Sequence, residues 1–301
     1  MPVETGKTID FNRSMVDNAL TALRDIKGAA LVLFLDAIDD WSVWRARPEK
    51  RKIILVTHRE DFQKDLEPLK ENLKAVLRLP NVNLTRLGRV KLSVIMAVTD
   101  GVIKNTDRIV CLTGLPRSGL FDTMMALDLS AENEVFSTRC ISRGLMKKIR
   151  PPVIDTVLGI ALELSSEGRE GKAVGTTFVI GGYEKVLKLS RPLIMNPFKG
   201  YPEEARNILD ASLHETIKEF SLLDGAFVIR EDGVVMSAGV HLDAALEGGG
   251  LLPGLGSRHM AAAGITDVTD AVAITISGST GIVRVFRKGK VILELEKPNM
   301  P

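Results

Sequence analysis

Ala29-Ala-Leu-Val-Leu-Phe-Leu35 is an unbroken run of seven apolar residues closed by Asp36. A run of that length and texture reads as a strand buried on both faces, the kind that fills a parallel sheet. The flanking sequence has the matching rhythm. Phe11 to Lys27 places Met15, Ala19, Ala22, Leu23 and Ile26 at helical spacing. Trp41 to Arg47 has the length of a short helix. Lys52-Ile-Ile-Leu-Val-Thr57 reads as a second strand, and Arg59 to Arg78 as a long helix carrying Phe62, Leu66, Leu69, Leu73, Val76 and Leu77 on one side. Val82 to Leu87 is a weaker third strand, Lys91 to Ile103 a further helix, and Arg108 to Thr113 a fourth strand. Strands alternating with helices predict a mainly parallel α/β sheet domain.

Arg150-Pro151-Pro152 interrupts this rhythm, because two prolines end whatever precedes them. The expected division is therefore a domain over 1–150 and another over 151–301. The second half has a different texture. A helix is expected from Val153 to Ser166, a strand from Thr176 to Ile180, and a helix from Ala205 to Phe220. Ala226 to Arg230 and Val234 to Val240 flank Asp232-Gly233, a hairpin turn signal. Three more strands are expected over Ala271–Ile276, Ile282–Phe286 and Val291–Leu295. This half reads as a mixed-sheet α/β domain.

The chain has 301 residues, 45% hydrophobic and 26% charged. That length suits about two domains of roughly 100–200 residues each, and the balance is that of a globular protein. No apolar run approaches the roughly 18 residues needed to span a bilayer, and Met1 to Asp10 is polar, unlike a signal peptide. With only Cys111 and Cys140, both read as filler, a reducing cytoplasmic compartment is expected. The net charge of +2 does not point to nucleic acid. It is unevenly spread. Residues 1–150 hold 25 Lys and Arg against 19 Asp and Glu, a net of +6, and residues 151–301 hold 15 against 19, a net of −4. Such asymmetry permits electrostatic contact between domains or between protomers.

Two stretches carry chemistry. Leu251-Leu-Pro-Gly-Leu-Gly-Ser-Arg-His259, preceded by Gly248-Gly249-Gly250, opens into Met260-Ala-Ala-Ala263. Glycines let the backbone approach a ligand, and Ser257 is a favourable helix N-cap. A helix opening there directs free N–H groups and a positive dipole end into the loop. Arg258 and His259 add side-chain donors, so the arrangement suits a phosphate; a flexible loop before a capped surface helix is the plainer alternative. Asp224-Gly225-Ala226 opens a strand, where an acid can hold a divalent metal or orient a hydroxyl. A turn aspartate is the alternative. Glu231 and Asp232 read as solvated turn acids. In the first half, Gly114-Leu-Pro-Arg-Ser-Gly119 follows a strand where α/β folds often bind ligands, or is simply a loop.

Asp224-Gly225-Ala226 and, 34 positions after the aspartate, Arg258-His259 within Gly256-Ser-Arg-His-Met-Ala-Ala-Ala-Gly264, resemble the paired motifs of the diadenylate cyclase domain. The resemblance covers roughly 151–297. Residues 1–150, above all Arg89 to Thr113, resemble the C-terminal domain of pyruvate kinase, and the combination is similar to the archaeal type of diadenylate cyclase. The resemblance implies condensation of two ATP into cyclic di-AMP and two pyrophosphates, in a homo-oligomer whose catalytic domains face each other. It implies a divalent cation, Mn2+ or Mg2+, on Asp224 and, or instead a phosphate, on His259. It implies catalytic roles for Asp224, Gly225, Arg258 and His259, and ATP contacts from Gly225, Ala226, Leu242, Gly256, Ser257, Arg258, His259 and Ser277. Met260 departs from the second arginine of many members, and Ser277-Gly-Ser-Thr-Gly281 from the acids of many bacterial ones. The rival expectation is a non-catalytic regulator that binds ATP or cyclic di-AMP.

Overall fold

The computed structural model describes residues 5–39, 51–59, 72–79, 84–131, 149–244 and 256–296. The chain forms two compact units. The first is Met1–Asn81 with Arg89–Gly144, and the second is Val82–Gly88 with Leu145–Pro301.

In the first unit, helix α1 (Thr5–Asp25) precedes strand β1 (Ala30–Phe34), in which all five residues are buried. Strands β2 (Ile53–Thr57), β3 (Ala75–Arg78), β4 (Arg108–Thr113) and β5 (Thr123–Asp128) complete a sheet of order β3-β2-β1-β4-β5. The first four strands run parallel and β5 is antiparallel to β4. Leu31, Leu33, Ile53, Leu55, Val110 and Leu112 form one apolar face, covered by Val16, Ala19, Leu20 and Leu23 of α1. Two-sided burial of β1 is what its unbroken apolar run requires.

The helix expected over Arg59–Arg78 fails at its C-terminal end, where Ala75–Arg78 is β3, paired with β2 from Ile54↔Ala75 to Thr57↔Arg78. A four-residue, half-buried edge strand carries no alternation to tell it from a helix face. The strand expected over Val82–Leu87 is also displaced. Helix α2 (Arg86–Thr99) begins inside it, and the Thr85 hydroxyl accepts from the Gly88 amide at 2.9 Å as its N-cap. Strand β5 was not expected. Trp41–Arg47 lies outside the described residues. Cys111 is fully buried in β4, and burial pushes its thiol up to about 12, which suits inert filler; Cys140 lies outside the described residues.

In the second unit, helix α3 (Pro151–Glu167) has proline in its first turn, where the missing N–H costs nothing. The sheet has the order β12-β11-β10-β6-β8-β9-β7. Its strands are β6 (Thr177–Ile180), β7 (Ser190–Pro192), β8 (Ala226–Ile229), β9 (Val235–Leu242), β10 (Val272–Ile276), β11 (Val283–Arg287) and β12 (Lys290–Leu295). Among its pairs β6–β8 is parallel and the others antiparallel. A short helix α4 (Tyr183–Lys188) follows β6. The helix expected over Ala205–Phe220 is confined to α5 (His214–Phe220). Upstream, the side chains of Asn207 and Asp210 accept from the amides of Leu209 and Ser212, and Asn207 bridges to Val234. Such local bonds compete with helix.

Helix α6 (Ser257–Val268) lays Ala262, Ala263 and Ile265 on Val179, Val228, Ala273 and Phe286. Alanines at the contact allow the helix close to the sheet. Register then positions the site. Thr177 pairs with Ala226 and with Thr275, and Ala226 with Val240. Two residues beyond these pairs, Gly175, Asp224, Ser277 and Leu242 fall at one edge of the sheet. No helix of the described residues is long and apolar enough to cross a membrane.

Candidate active site

At that edge the backbone before β8 turns through Gly225, at a φ of +103°. A Cβ on Gly225 would stand 2.8 Å from the Gly239 carbonyl carbon and the Val240 nitrogen, so only glycine permits this approach to β9. The turn leaves the Asp224 carboxylate 80% exposed at the rim. Opposite it, α6 begins. Gly256, in extended conformation, is the N-cap; its carbonyl accepts from the amides of His259 and Met260 at 3.0 and 3.2 Å. Ser257, expected as the cap, is the first helical residue, so its hydroxyl is not committed to capping. The Ser257 and Arg258 amides have no acceptor within the helix.

Arg258 Nη2 donates to Asp224 Oδ1 at 3.1 Å, with the arginine 44% exposed. This pair stands where two cavities meet. The smaller, about 140 Å3, is walled by Gly225, Ala226, Val240 and Leu242, with Asp224 at its side. The larger, about 420 Å3, is lined by Gly256, His259, Ser277, Ser279, Thr280 and Arg284. Ser257 and Arg258 line both. All nine residues singled out from the sequence thus border one cavity or the other. The glycines at 248–250 and residues 251–255 lie outside the described residues.

The two cavities differ in chemistry. The smaller is mostly apolar backbone and side chain. The larger is a wall of donors. Ser277 anchors a turn in which its amide donates to Ile282 O at 3.0 Å and its carbonyl accepts from Gly281 N at 2.8 Å. This holds the hydroxyls of Ser277, Ser279 and Thr280 together. His259 is turned inward, 6% exposed, with Nε2 at 3.2 Å from Arg284 Nη1. A guanidinium only donates, so Nε2 accepts and the ring proton sits on Nδ1. Burial, then the positive charge of Arg284, holds the imidazole below its usual pKa, so it is neutral at pH 7.

Of Glu231 and Asp232, expected as solvated turn acids, Asp232 stays 42% exposed in the turn and Glu231 is engaged at longer range. Glu231 accepts from the Gly182 amide at 2.7 Å, and Asp232 pairs with Arg230 at 2.7 Å. Sequence reasoning missed three parts of the site: Arg284 on β11, the hydroxyls of Ser279 and Thr280, and Gly175. An arginine between Val283 and Val285 was the available signal for the first. For Gly175, a Cβ would stand 3.0 Å from Arg258 Nη1 and from Gly278 Cα and N. Gly175→Ala is therefore expected to displace Arg258 or the 277–281 turn. Melting should register an overpacking cost of about 1–3 kcal/mol, and titration with a polyphosphate anion a weakened affinity. Wild-type affinity in the variant would show that this contact has slack.

Residues 163–291 match the family described as "DisA bacterial checkpoint controller nucleotide-binding", and residues 12–136 match "Probable sensor domain DacZ_P". A diadenylate cyclase of Methanocaldococcus jannaschii is 32% identical over 295 residues, spanning 97% of this chain and 89% of that protein. A diadenylate cyclase of Haloferax volcanii is 44% identical over 146 residues, 48% of this chain and 53% of that protein. A crystal structure of a pyruvate kinase from Cryptosporidium parvum aligns with 42% of this chain and 27% of that one, at 12% identity and a TM-score of 0.32.

Proposed function

From the premise that this chain belongs to the diadenylate cyclase family, we propose that it condenses two ATP into cyclic di-AMP and two pyrophosphates, at a site completed by two facing protomers. The observation that carries this reading is the Asp224–Arg258 pair at 3.1 Å, on the junction between an apolar cavity and a donor-lined one. The smaller cavity suits adenosine against Gly225, Ala226 and Leu242. The larger suits the triphosphate, held by the α6 amides, Ser257, Arg258 and the Ser277 turn. The α-phosphate then lies at the junction, beside Asp224, the only carboxylate among the described residues bordering either cavity.

Each 3′-hydroxyl attacks the α-phosphorus of the facing ATP. An O–P bond forms, the bond to the pyrophosphate oxygen breaks, and the hydroxyl proton leaves. Asp224 orients that hydroxyl and receives or passes on its proton. Arg258 exchanges its carboxylate partner for phosphate oxygens when the nucleotide arrives.

A divalent cation, Mg2+ or Mn2+, fits the donor set, because Asp224 is a hard oxygen ligand that is open to solvent. Among the described residues no three His, Cys, Asp or Glu side chains cluster for a metal, so Asp224 would share the ion with phosphate oxygens and water. When bound, the ion supplies charge neutralisation at the phosphates. The Nε2 contact to Arg284 favours a positioning role for His259 over metal ligation.

The reading assigns cyclase activity to residues 151–301 and a regulatory role to residues 1–150. The sensor-family match over 12–136 supports the latter. The same proposal puts the chain in the cytoplasm, where the substrate ATP is. Incubation with ATP and either metal, read by mass spectrometry, separates the alternatives. Cyclic di-AMP confirms the cyclase, and ATP bound but unconverted selects the non-catalytic regulator.

Symmetry demands the second protomer, since one site holds one ATP and two bonds must form. Apolar surface beside the smaller cavity supports docking of a second copy: Leu193 lines it, and Ile194, Leu222 and the 94% exposed Met195 are open to solvent. Specific activity is therefore expected to fall steeply on dilution through the dissociation range, followed by light scattering. A demonstrated monomer with undiminished specific activity would overturn the facing-protomer reading.

A further inference from the structure

Arg284 lines the larger cavity but not the smaller, and its side chain is only 13% exposed. Its Nε donates to Glu294 at 2.6 Å, and its Nη1 faces His259 Nε2 at 3.2 Å. A guanidinium has five N–H donors in a planar fork. These two contacts engage Nε–H and one hydrogen on Nη1. They leave three donors at the wall of a cavity whose other polar lining is hydroxyls, amides, His259 and a second arginine. No Arg284 nitrogen is among the buried atoms left without a partner, so these donors open onto the cavity, and among the described residues no carboxylate lines it. Donors so placed suit an anion with several oxygens.

We propose that Arg284 grips the β- and γ-phosphates of ATP and stabilises the departing pyrophosphate. This rests on the reading of the site as an ATP site. Position along the nucleotide follows from the cavities. With adenosine in the smaller one, Arg258 borders both and meets the α-phosphate region, whereas Arg284 borders only the far one. When the α-phosphorus–oxygen bond breaks, the electron pair stays with the pyrophosphate, and Arg284 meets that charge. Its direction is fixed beforehand, because Glu294 holds one side of the fork and neutral His259 another. Preorganised donors aimed at developing charge stabilise a transition state without rearranging. His259 is then a positioning residue for Arg284. Met260, 40% exposed, lines neither cavity, so the second guanidinium of the site comes from the sheet rather than from the helix.

The test compares ligands that do and do not reach Arg284. ATP, inorganic pyrophosphate and AMP are titrated by calorimetry against the full chain, its Arg284→Gln variant and its Arg284→Lys variant. Arg284→Gln should weaken ATP and pyrophosphate by roughly ten- to a hundredfold and leave AMP unchanged. Arg284→Lys, which keeps the charge without the fork, should fall between. Glu294→Gln removes the anchor outside the cavity and should show the same pattern, smaller, if Arg284→Gln does not fold. Equal loss of all three ligands would make Arg284 merely structural, and undiminished ATP binding would also overturn the proposal. Absence of ATP binding to the wild-type chain would instead sink the ATP-site reading itself.

Discussion

Asp224→Asn is expected to abolish turnover while ATP still binds. The substitution keeps the side chain's shape and an oxygen that can accept from Arg258 Nη2, now at 3.1 Å. It removes the charge that attracts a cation and that orients the attacking hydroxyl. General-base assistance alone contributes typically about 10²–10⁴ in rate, so a loss of at least two decades is expected. Stability should be unmoved. The carboxylate is 80% exposed, and substitutions at such positions stay within about 0.5 kcal/mol. A turn aspartate of purely local importance would give the opposite pattern, with little effect on rate. Initial rates of cyclic dinucleotide formation, with ATP affinity and melting measured on the same preparation, decide between them. Near-wild-type turnover would move the chemistry away from Asp224.

What the sequence disclosed tracks how local each determinant is. The strand Ala30–Phe34 was legible because burial on both faces leaves an unbroken apolar run. The hairpin at Asp232-Gly233 was legible because its turn needs a positive φ, here +102° at Gly233. Ala75–Arg78 was misread because an edge strand is specified by its partner β2, not by its own alternation. The Thr85 cap shows the reverse failure. A threonine three residues before Gly88 is a local signal, and it lies inside the segment expected as a strand.

The site followed the same rule. Asp224 and the first turn of α6 were legible as motifs, although their meeting depends on the β6–β8 and β6–β10 pairings. Arg284 and Gly175 were not, because each acquires its role only across the sheet. Arg284 is an ordinary surface-strand arginine in sequence. It becomes part of a cavity wall because α6 places His259 beside it and β12 places Glu294 on its other side. Glu231 was misjudged likewise, since the Gly182 amide that it caps lies 49 residues away in sequence.

Arg258→Ala separates the phosphate reading from its structural rival by weakening binding while leaving stability nearly unchanged. Arg258 sits in the first turn of α6, where a cation opposes the helix dipole by a few tenths of a kcal/mol. Its ion pair with Asp224 is solvent-exposed, and such pairs contribute about 0–1 kcal/mol. The two nearly cancel, so alanine, a better helix former, should leave the melting temperature close to wild type. Binding is expected to respond very differently. Losing a forked set of charge-assisted hydrogen bonds to phosphate costs about 1.5–3 kcal/mol, which is roughly one to two decades in ATP affinity. AMP should weaken too, because Arg258 borders both cavities, whereas removal of Arg284 should spare it. Turnover should fall further than affinity, since the guanidinium also meets charge that grows as the α-phosphate is attacked. Lysine should restore part of the affinity through its charge and little of the rate, for want of the planar fork. If the alanine variant melts normally and binds ATP as tightly as wild type, Arg258 is a solvated helix residue. The junction between the cavities would then lack the group that makes it a phosphate site.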